Sequence, residues 1–289
     1  MSGSGAGGLL LVHAHPDDET LTTGATMAAY AAAGVRVTLV TCTLGQLGEV
    51  LVPGLAHLDP DEVGEHRRDE LAEAMTALGV TDHRLLAGGR WRDSGMVWVR
   101  PGIAGVPPDA DPRCFALADV DEAAASLVEV IAQVRPRAVV TYDPDGGYGH
   151  PDHVQAHRVT MRALQLLAAQ GSPVAKVYWV RTPLSWAVRE RAVLQVQRPA
   201  SMSAREPDDP LPPMVADDEV VTTAVDAGAH LHRKLAALRA HATQVRVEGE
   251  VFALSDGVAQ LVRAAEGFQL VAGTLGPTGD AGREHDLLS

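Results

Sequence analysis

The chain has 289 residues, with 24 basic against 37 acidic side chains and a formal net charge of -13. That length can bury a substantial core as one large domain or as a principal domain with an appendage. The negative balance argues against a nucleic-acid or anionic-membrane surface and favours a small neutral or polar substrate.

Met1 to Gly8 lacks a charged n-region, and the apolar run after it is too short for a signal core or a membrane span, so it reads as a flexible leader. From Leu9 to about Arg181 short β-rich runs alternate with longer helical ones, the pattern of a parallel sheet covered by helices. Strands are expected at Leu9–His13, Val35–Cys42, His83–Leu86, Ala138–Thr141 and Lys176–Val180. Helices are expected between them at Leu21–Ala33, Asp61–Leu78, Val120–Val134 and His153–Ala169, with Gly34 and Gly79 where C-cap glycines belong. The predicted fold class is α/β: a Rossmann-like, mostly parallel sheet with helices on both faces over residues 1–181, and a smaller C-terminal α+β region, 182–289, completing the pocket. The first βα turn lacks G-x-G-x-x-G, which removes the main support for dinucleotide binding.

Two loops, Thr43–Pro60 and Ala87–Asp119, exceed ordinary connection lengths and are expected to wall the pocket. A stretch rich in Pro, Asp and Ser after Arg198 reads as a linker to Pro213, followed by a strand at Glu219–Ala224 and a helix at Ala227–His241. The tail from Gly276 to Ser289 is polar, contains glycine and is expected to be loose. Two cysteines, Cys42 and Cys114, cannot build a disulfide framework and lack zinc-knuckle spacing, so a reducing cytoplasm is the expected home. Cys42 stands at a strand end, either as a nucleophile or as a small buried residue.

Chemistry concentrates at two strand tips. His15-Pro16-Asp17-Asp18-Glu19 follows Leu9-Leu10-Leu11-Val12, and His150-Pro151-Asp152-His153 follows Ala138-Val139-Val140-Thr141. A catalytic metal needs three protein ligands, an open position and a free group to move protons. The first cluster offers a nitrogen ligand, an oxygen ligand and a spare carboxylate, and the second another nitrogen and an acid. Together they read as one divided metal site, at the strand ends where doubly wound sheets bind ligands. His13 shares a strand side with His15 and reads as a buried supporting histidine. Asp17 and Asp18 also suit an N-cap pair ahead of Glu19. His157, four residues after His153, has metal-compatible helical spacing. His57, His66, His83, His230, His232, His241 and His285 stand apart from acidic turns and read as surface or core residues.

The paired motifs resemble the zinc-dependent N-acetylglucosaminyl deacetylases of the phosphatidylinositol-glycan class L family. Within it, Trp91-Arg92-Asp93-Ser94-Gly95-Met96, Tyr142-Asp143-Pro144-Asp145-Gly146-Gly147-Tyr148-Gly149-His150 and His241-Ala242-Thr243-Gln244-Val245 look like the actinobacterial branch that serves mycothiol biosynthesis. The likeness covers almost the whole chain and is weakest from Arg181 to Asp217. It implies one metal ion per chain on His15, Asp18 and His153, with Asp17 as general base. It implies His150 as the residue that stabilises the oxyanion or protonates the leaving amine, Asp152 as its orienting partner, and Tyr148 against the reacting carbonyl. Arg67 and Asp93 match the sugar and inositol contacts, Arg68 being an equally close neighbour of Arg67. Two histidines and one carboxylate suit Zn2+ or Fe2+ rather than calcium or magnesium. In Gly45-Gln46-Leu47-Gly48-Glu49, glutamine and leucine stand where relatives often carry acids, which alters that loop's polar contacts.

The implied reaction is hydrolysis of the acetamide of an N-acetylglucosaminyl-inositol, with a small glycosyl-inositol as partner and neither nucleic acid nor membrane. The alternatives are amide hydrolysis of mycothiol S-conjugates, which the Trp91 loop disfavours, and a non-catalytic sugar-binding α/β module, which gives no reason for two metal-competent turns. A serine-histidine-aspartate hydrolase is disfavoured because no G-x-S-x-G elbow occurs.

Overall fold

The structure, a computed structural model, describes residues 7–100, 103–279 and 282–289. Residues 1–6 of the expected leader lie outside them. Strand β1 (Leu9–His13), helix α1 (Asp18–Ala32), β2 (Val37–Thr41), α2 (Pro60–Leu78) and β3 (Asp82–Leu85) form two successive parallel crossovers. A hairpin, β4 (Val97–Arg100) and β5 (Ile103–Gly105), precedes α3 (Val120–Val134), β6 (Ala138–Thr141), the short α4 (Gly146–Gly149), α5 (Pro151–Ala169) and β7 (Lys176–Val180). The remainder comprises β8 (Thr182–Pro183), α6 (Leu184–Gln197), β9 (Val215–Ala216), β10 (Thr223–Asp226), α7 (Leu231–Ala240), β11 (Arg246–Glu248), β12 (Val251–Ala253), β13 (Gln260–Leu261) and β14 (Ala265–Ala272).

Seven strands make the main sheet in the order β10-β14-β7-β6-β1-β2-β3. The five strands from β7 to β3 pair parallel, whereas β14 pairs antiparallel with β7 and β10 antiparallel with β14. The expected α/β architecture is present, and strands from the C-terminal region enlarge the same sheet. β1 is fully buried, and its alternation serves two cores, as a period of two demands. Leu10 and Val12 pack with Leu127 and Ile131 of α3 and Val159 of α5, while Leu9 and Leu11 pack with Met27 of α1, Leu71 and Met75 of α2 and Ala237 of α7.

Local chemistry sets several boundaries. α2 begins in a capping box, Asp59 accepting from the Glu62 N–H and the Glu62 side chain from the Asp59 N–H, with Pro60 at the first position. It ends at Gly79 with φ 78°, a left-handed cap open to glycine at little cost. The expected linker is tied down where Arg191 donates to the carbonyls of Pro207, Asp209 and Pro210.

Three expectations need correction. The strand placed at Glu219–Ala224 lies at Thr223–Asp226, and the helix begins at Leu231 after a 3-10 turn over Gly228–His230. The last described residues, 282–289, are not loose: Leu287 and Leu288 are buried in the core, and Glu284 accepts from Lys176, Tyr178 and Thr223 on two strands. One buried carboxylate with strand-borne donors anchors a segment whose composition alone suggests freedom.

Candidate active site

β1 and β6 are hydrogen-bonded neighbours, so the loops leaving their C-terminal ends start one strand spacing, about 4.8 Å, apart. The first loop leads to α1 on one face of the sheet and the second to α5 on the other. This is the switch point of a doubly wound sheet, and both histidine turns lie there.

Side chains from the two turns meet around His15. Its Nδ1 is 3.2 Å from Asp18 Oδ2, and its Nε2 is 3.1 Å from Asp152 Oδ2 and 3.6 Å from Asp93 Oδ1. His153 Nε2 lies 3.2 Å from the same Asp18 oxygen, and its Nδ1 lies 3.1 Å from the Gly146 carbonyl oxygen. A carbonyl only accepts, so Nδ1 carries a hydrogen, and Nε2 faces Asp18 as a donor when the ring is charged and as a lone pair when it is neutral. That nitrogen is buried without a hydrogen-bond partner. His153 is further fixed by stacking on Tyr142, with centroids 4.3 Å apart, and Tyr142 is itself held there by its hydroxyl, which accepts the Ala14 N–H at 2.9 Å. His150 packs edge-on to His15 at 4.6 Å and stacks on His153 at 4.9 Å. Donor atoms of His15, His150 and His153 lie within 4.8 Å of one another, as do those of His15, Asp93 and Asp152. An orphaned imidazole nitrogen beside a shared carboxylate is a donor set that fits a divalent metal of the zinc or ferrous type.

Electrostatics follow from this crowding. Burial opposes charge on His15, but Asp93, Asp152 and Asp18 together hold its ring protonated well above the usual histidine range. Burial also opposes charge on Asp18, yet His153 and His15 pull its carboxyl well below the usual range. A divalent cation would answer the same excess of carboxylate charge as the His15 proton does. Burial, with His15 and His153 beside it, pushes His150 well down, leaving a neutral ring. Its Nδ1 accepts the Asp152 backbone N–H at 3.2 Å, so Nε2 carries the hydrogen.

Asp17 has φ 118° and ψ -36°, a conformation costing a side-chain-bearing residue on the order of 1–3 kcal/mol. It occupies the N-cap position of α1 but makes no side-chain cap hydrogen bond, and the Asp18 carboxylate accepts the His15 N–H instead, so neither acid caps the helix. Burial pushes the Asp17 carboxyl up to about 6, against the opposing pull of Arg67, whose guanidinium nitrogen is 3.4 Å from Asp17 Oδ1.

Arg67 and Arg68 lie on different faces of α2. Arg67 is buried and donates to the carbonyls of Gly45 and Pro16, whereas Arg68 is exposed and pairs with Glu65. Gly45 has φ 64°, and a Cβ there would lie 2.1 Å from the guanidinium, so only glycine leaves it room. Asp93 accepts from the backbone N–H groups of Leu47 and Gly95, and its own N–H donates to Gln46 Oε1. The divergent Gln46-Leu47 turn thus grips the Asp93 loop. Tyr148 stands edge-on to His153 at 5.1 Å.

One expected partnership is corrected. The Asp152 carboxylate does not orient the His150 ring: it contacts His15 and accepts from the Ser94 N–H and hydroxyl. From Asp152 it is the backbone N–H, not the carboxylate, that reaches the His150 ring. His13 bonds Thr23 at 3.0 Å and packs edge-on to Tyr142, a supporting position. His157 bonds the Tyr142 carbonyl, outside the cluster. Cys42 is buried, and burial with Asp152 and Asp18 nearby raises its thiol well up, which disfavours a nucleophile. Sequence reasoning missed Ser94, Gln46, Glu19 and His241 as parts of the site. Glu19 and His241 face each other at 2.8 Å, and only the likeness of the His241 segment to a family motif marked the latter.

The profile of the PIG-L family, described as GlcNAc-PI de-N-acetylase, matches residues 10–164. The 1D-myo-inositol 2-acetamido-2-deoxy-alpha-D-glucopyranoside deacetylase of Acidothermus cellulolyticus is 53% identical over 285 residues, covering 97% of this chain and 94% of that protein. Among solved structures, the zinc-inhibited form of teicoplanin deacetylase is similar with a TM-score of 0.51 at 23% identity, covering 82% of this chain and 84% of that one. A 4-carboxy-2-hydroxymuconate hydratase from Pseudomonas putida is similar with a TM-score of 0.57 at 17% identity, covering 94% and 99%. Likeness at such identities speaks for the fold alone, and a deacetylase and a hydratase sharing it leave the chemistry to the site.

Proposed function

The chain belongs to the PIG-L family of GlcNAc-PI de-N-acetylases, and from that membership we propose that it is a metal-dependent N-deacetylase of 1-O-(2-acetamido-2-deoxy-glucopyranosyl)-myo-inositol. Acetate and glucosaminyl-inositol are the products, in the deacetylation step of mycothiol biosynthesis. The observation that carries this reading is the meeting of His15 Nδ1 and His153 Nε2 on one oxygen of Asp18, at 3.2 Å each, with Asp17 adjacent.

We assign the metal to His15, Asp18 and His153, one ion per chain, Zn2+ before Fe2+. Such an ion, when bound, supplies Lewis acidity toward a carbonyl oxygen and acidifies water. Asp17, freed from capping and fixed by its backbone, takes a proton from the attacking water. His150, with its hydrogen on Nε2, donates to the oxygen on which negative charge develops. When the C–N bond breaks, the proton that Asp17 took from water passes to the departing nitrogen, while the neutral His150 ring keeps its Nε2 hydrogen directed at the developing oxyanion. Asp152 holds the His15 ring through Nε2 and so keeps Nδ1 directed at Asp18. Tyr148, whose ring borders His153 and His150, is placed against the carbonyl end of the substrate. Arg67 and Asp93 are assigned the sugar and inositol side, Arg67 retaining an Nε without a protein partner.

The test joins metal analysis of the purified protein to acetate release from the acetylglucosaminyl-inositol, with a mycothiol S-conjugate as competing substrate. One Zn2+ or Fe2+ per chain with faster turnover of the deacetylase substrate is expected. Faster cleavage of the conjugate would reassign the substrate, and metal-free protein that turns over neither would leave a binding module.

A further inference from the structure

Among the described residues three non-glycine residues carry positive φ, and Asp17 at 118° lies far from Ala87 and Arg135 at 47° and 48°, which occupy the ordinary left-handed basin. A conformer so unfavourable persists only where its surroundings over-determine it. Two sides of the Asp17 peptide are held. Arg67 binds the Pro16 carbonyl at 2.5 Å and lies 3.4 Å from the Asp17 carboxylate. Opposite, Glu19 Oε2 accepts the Asp17 N–H at 2.9 Å.

Glu19 is held in turn. It is fully buried, and its other oxygen accepts from Thr20 and lies 2.8 Å from Nε2 of the fully buried His241. A carboxylate only accepts, so Nε2 is the N–H that donates. His241 follows the last turn of α7, and its own carbonyl accepts from the N–H groups of Gln244 and Val245 at 3.0 and 2.8 Å, which fixes the backbone that carries the ring. All hydrogen bonds of the Glu19 side chain therefore go to Asp17, Thr20 and His241. A first-turn glutamate that accepts the N-cap N–H, as Glu62 does at α2, is ordinarily exposed, whereas Glu19 is fully buried and its second oxygen is held from the end of α7. Glu19 is folded back to grip the residue before the helix.

We propose that Glu19 and His241 are a positioning pair for Asp17: the His241 N–H holds the Glu19 carboxylate where it captures the Asp17 N–H, keeps the strained conformer and aims the Asp17 carboxylate. Neither residue touches substrate. The pair also makes the site depend on the C-terminal segment, because His241 is the only member of the arrangement that comes from beyond residue 200. The inference rests on the reading of Asp17 as the base.

His241→Phe keeps a ring and removes the donor, whereas His241→Gln keeps a side-chain N–H. Expected for His241→Phe is full metal content, KM within about twofold and kcat lowered on the order of 10- to 100-fold, the scale of a small misplacement of a catalytic group. His241→Gln should recover most of it. A crystal structure of His241→Phe should show Asp17 relaxed to negative φ, and in an Asp17→Asn background the same substitution should add no further loss. Wild-type kcat with only a lowered Tm, an unchanged Asp17 φ, or losses that multiply in the double variant would overturn the pair's role. If His241→Phe does not fold, His241→Asn, whose shorter amide cannot reach Glu19, takes its place with the same outcomes. An Asp17→Asn enzyme with full activity would instead remove the base assignment, so the two failures are distinguishable.

Discussion

His15 Nε2 and Asp152 Oδ2 lie 3.1 Å apart, and this contact fixes which nitrogen of His15 is left to face Asp18. On the proposed metal assignment His15 is a ligand, and a carboxylate that pins a ligand's second nitrogen tunes metal affinity, typically by 10- to 100-fold. Asp152→Asn is therefore expected to weaken metal binding by about that factor in a chelator competition. Unchanged affinity with a pure loss of kcat would return Asp152 to the role of partner for His150.

Asp17→Asn keeps the size of the side chain and removes its basicity. With metal content unchanged, acetate release should fall by about 10² to 10⁴, the usual range for a general base. Metal-loaded variant protein working at the wild-type rate would exclude Asp17 from proton transfer.

Lys234 is buried and donates to Glu266 at 2.7 Å and to the Leu21 carbonyl at 3.1 Å, while Glu266 also accepts from the backbone of Ala25 and Thr26. Lys234→Met leaves that carboxylate unpaired, and breaking a buried pair in this way costs about 3–5 kcal/mol. Denaturant unfolding reads the loss. A midpoint equal to the wild type would show that the pair contributes nothing.

Glu284 gives the fold an acid limit. Burial opposes its charge, but Lys176, Ser289 and Tyr178 hold its carboxyl down to about 2, against an ordinary 4.5. A carboxyl whose folded value is depressed binds fewer protons folded than unfolded, so its stabilisation is complete above the ordinary value and drains away as pH falls toward about 2. The stability gap between wild type and Glu284→Gln should be widest near neutrality and shrink between those two values. A gap independent of pH would contradict the linkage.

The parallel half of the sheet was legible because each of its elements is announced locally. Apolar runs such as Leu9–Val12 ending in His15-Pro16 and Ala138–Thr141 followed by His150-Pro151 mark both a strand and its tip, and Asp59 and Gly79 mark the ends of a helix. The metal-competent residues were legible for the same reason. β14 was not, because Glu266 and Gly267 interrupt its apolar pattern, and their purpose, gripping α1 and lying against the Arg181 carbonyl, is visible only across the sheet.

By itself the sequence determined which histidines and carboxylates stand at the strand tips, since residue type and spacing along a strand tip are local properties. Tertiary structure decided their partners: Arg67 rather than Arg68 beside Asp17, His15 rather than His150 for Asp152, and His241 behind Glu19. Such pairings depend on which helix face turns inward and on contacts between residues as far apart as 19 and 241, and no local pattern encodes a distance of that kind.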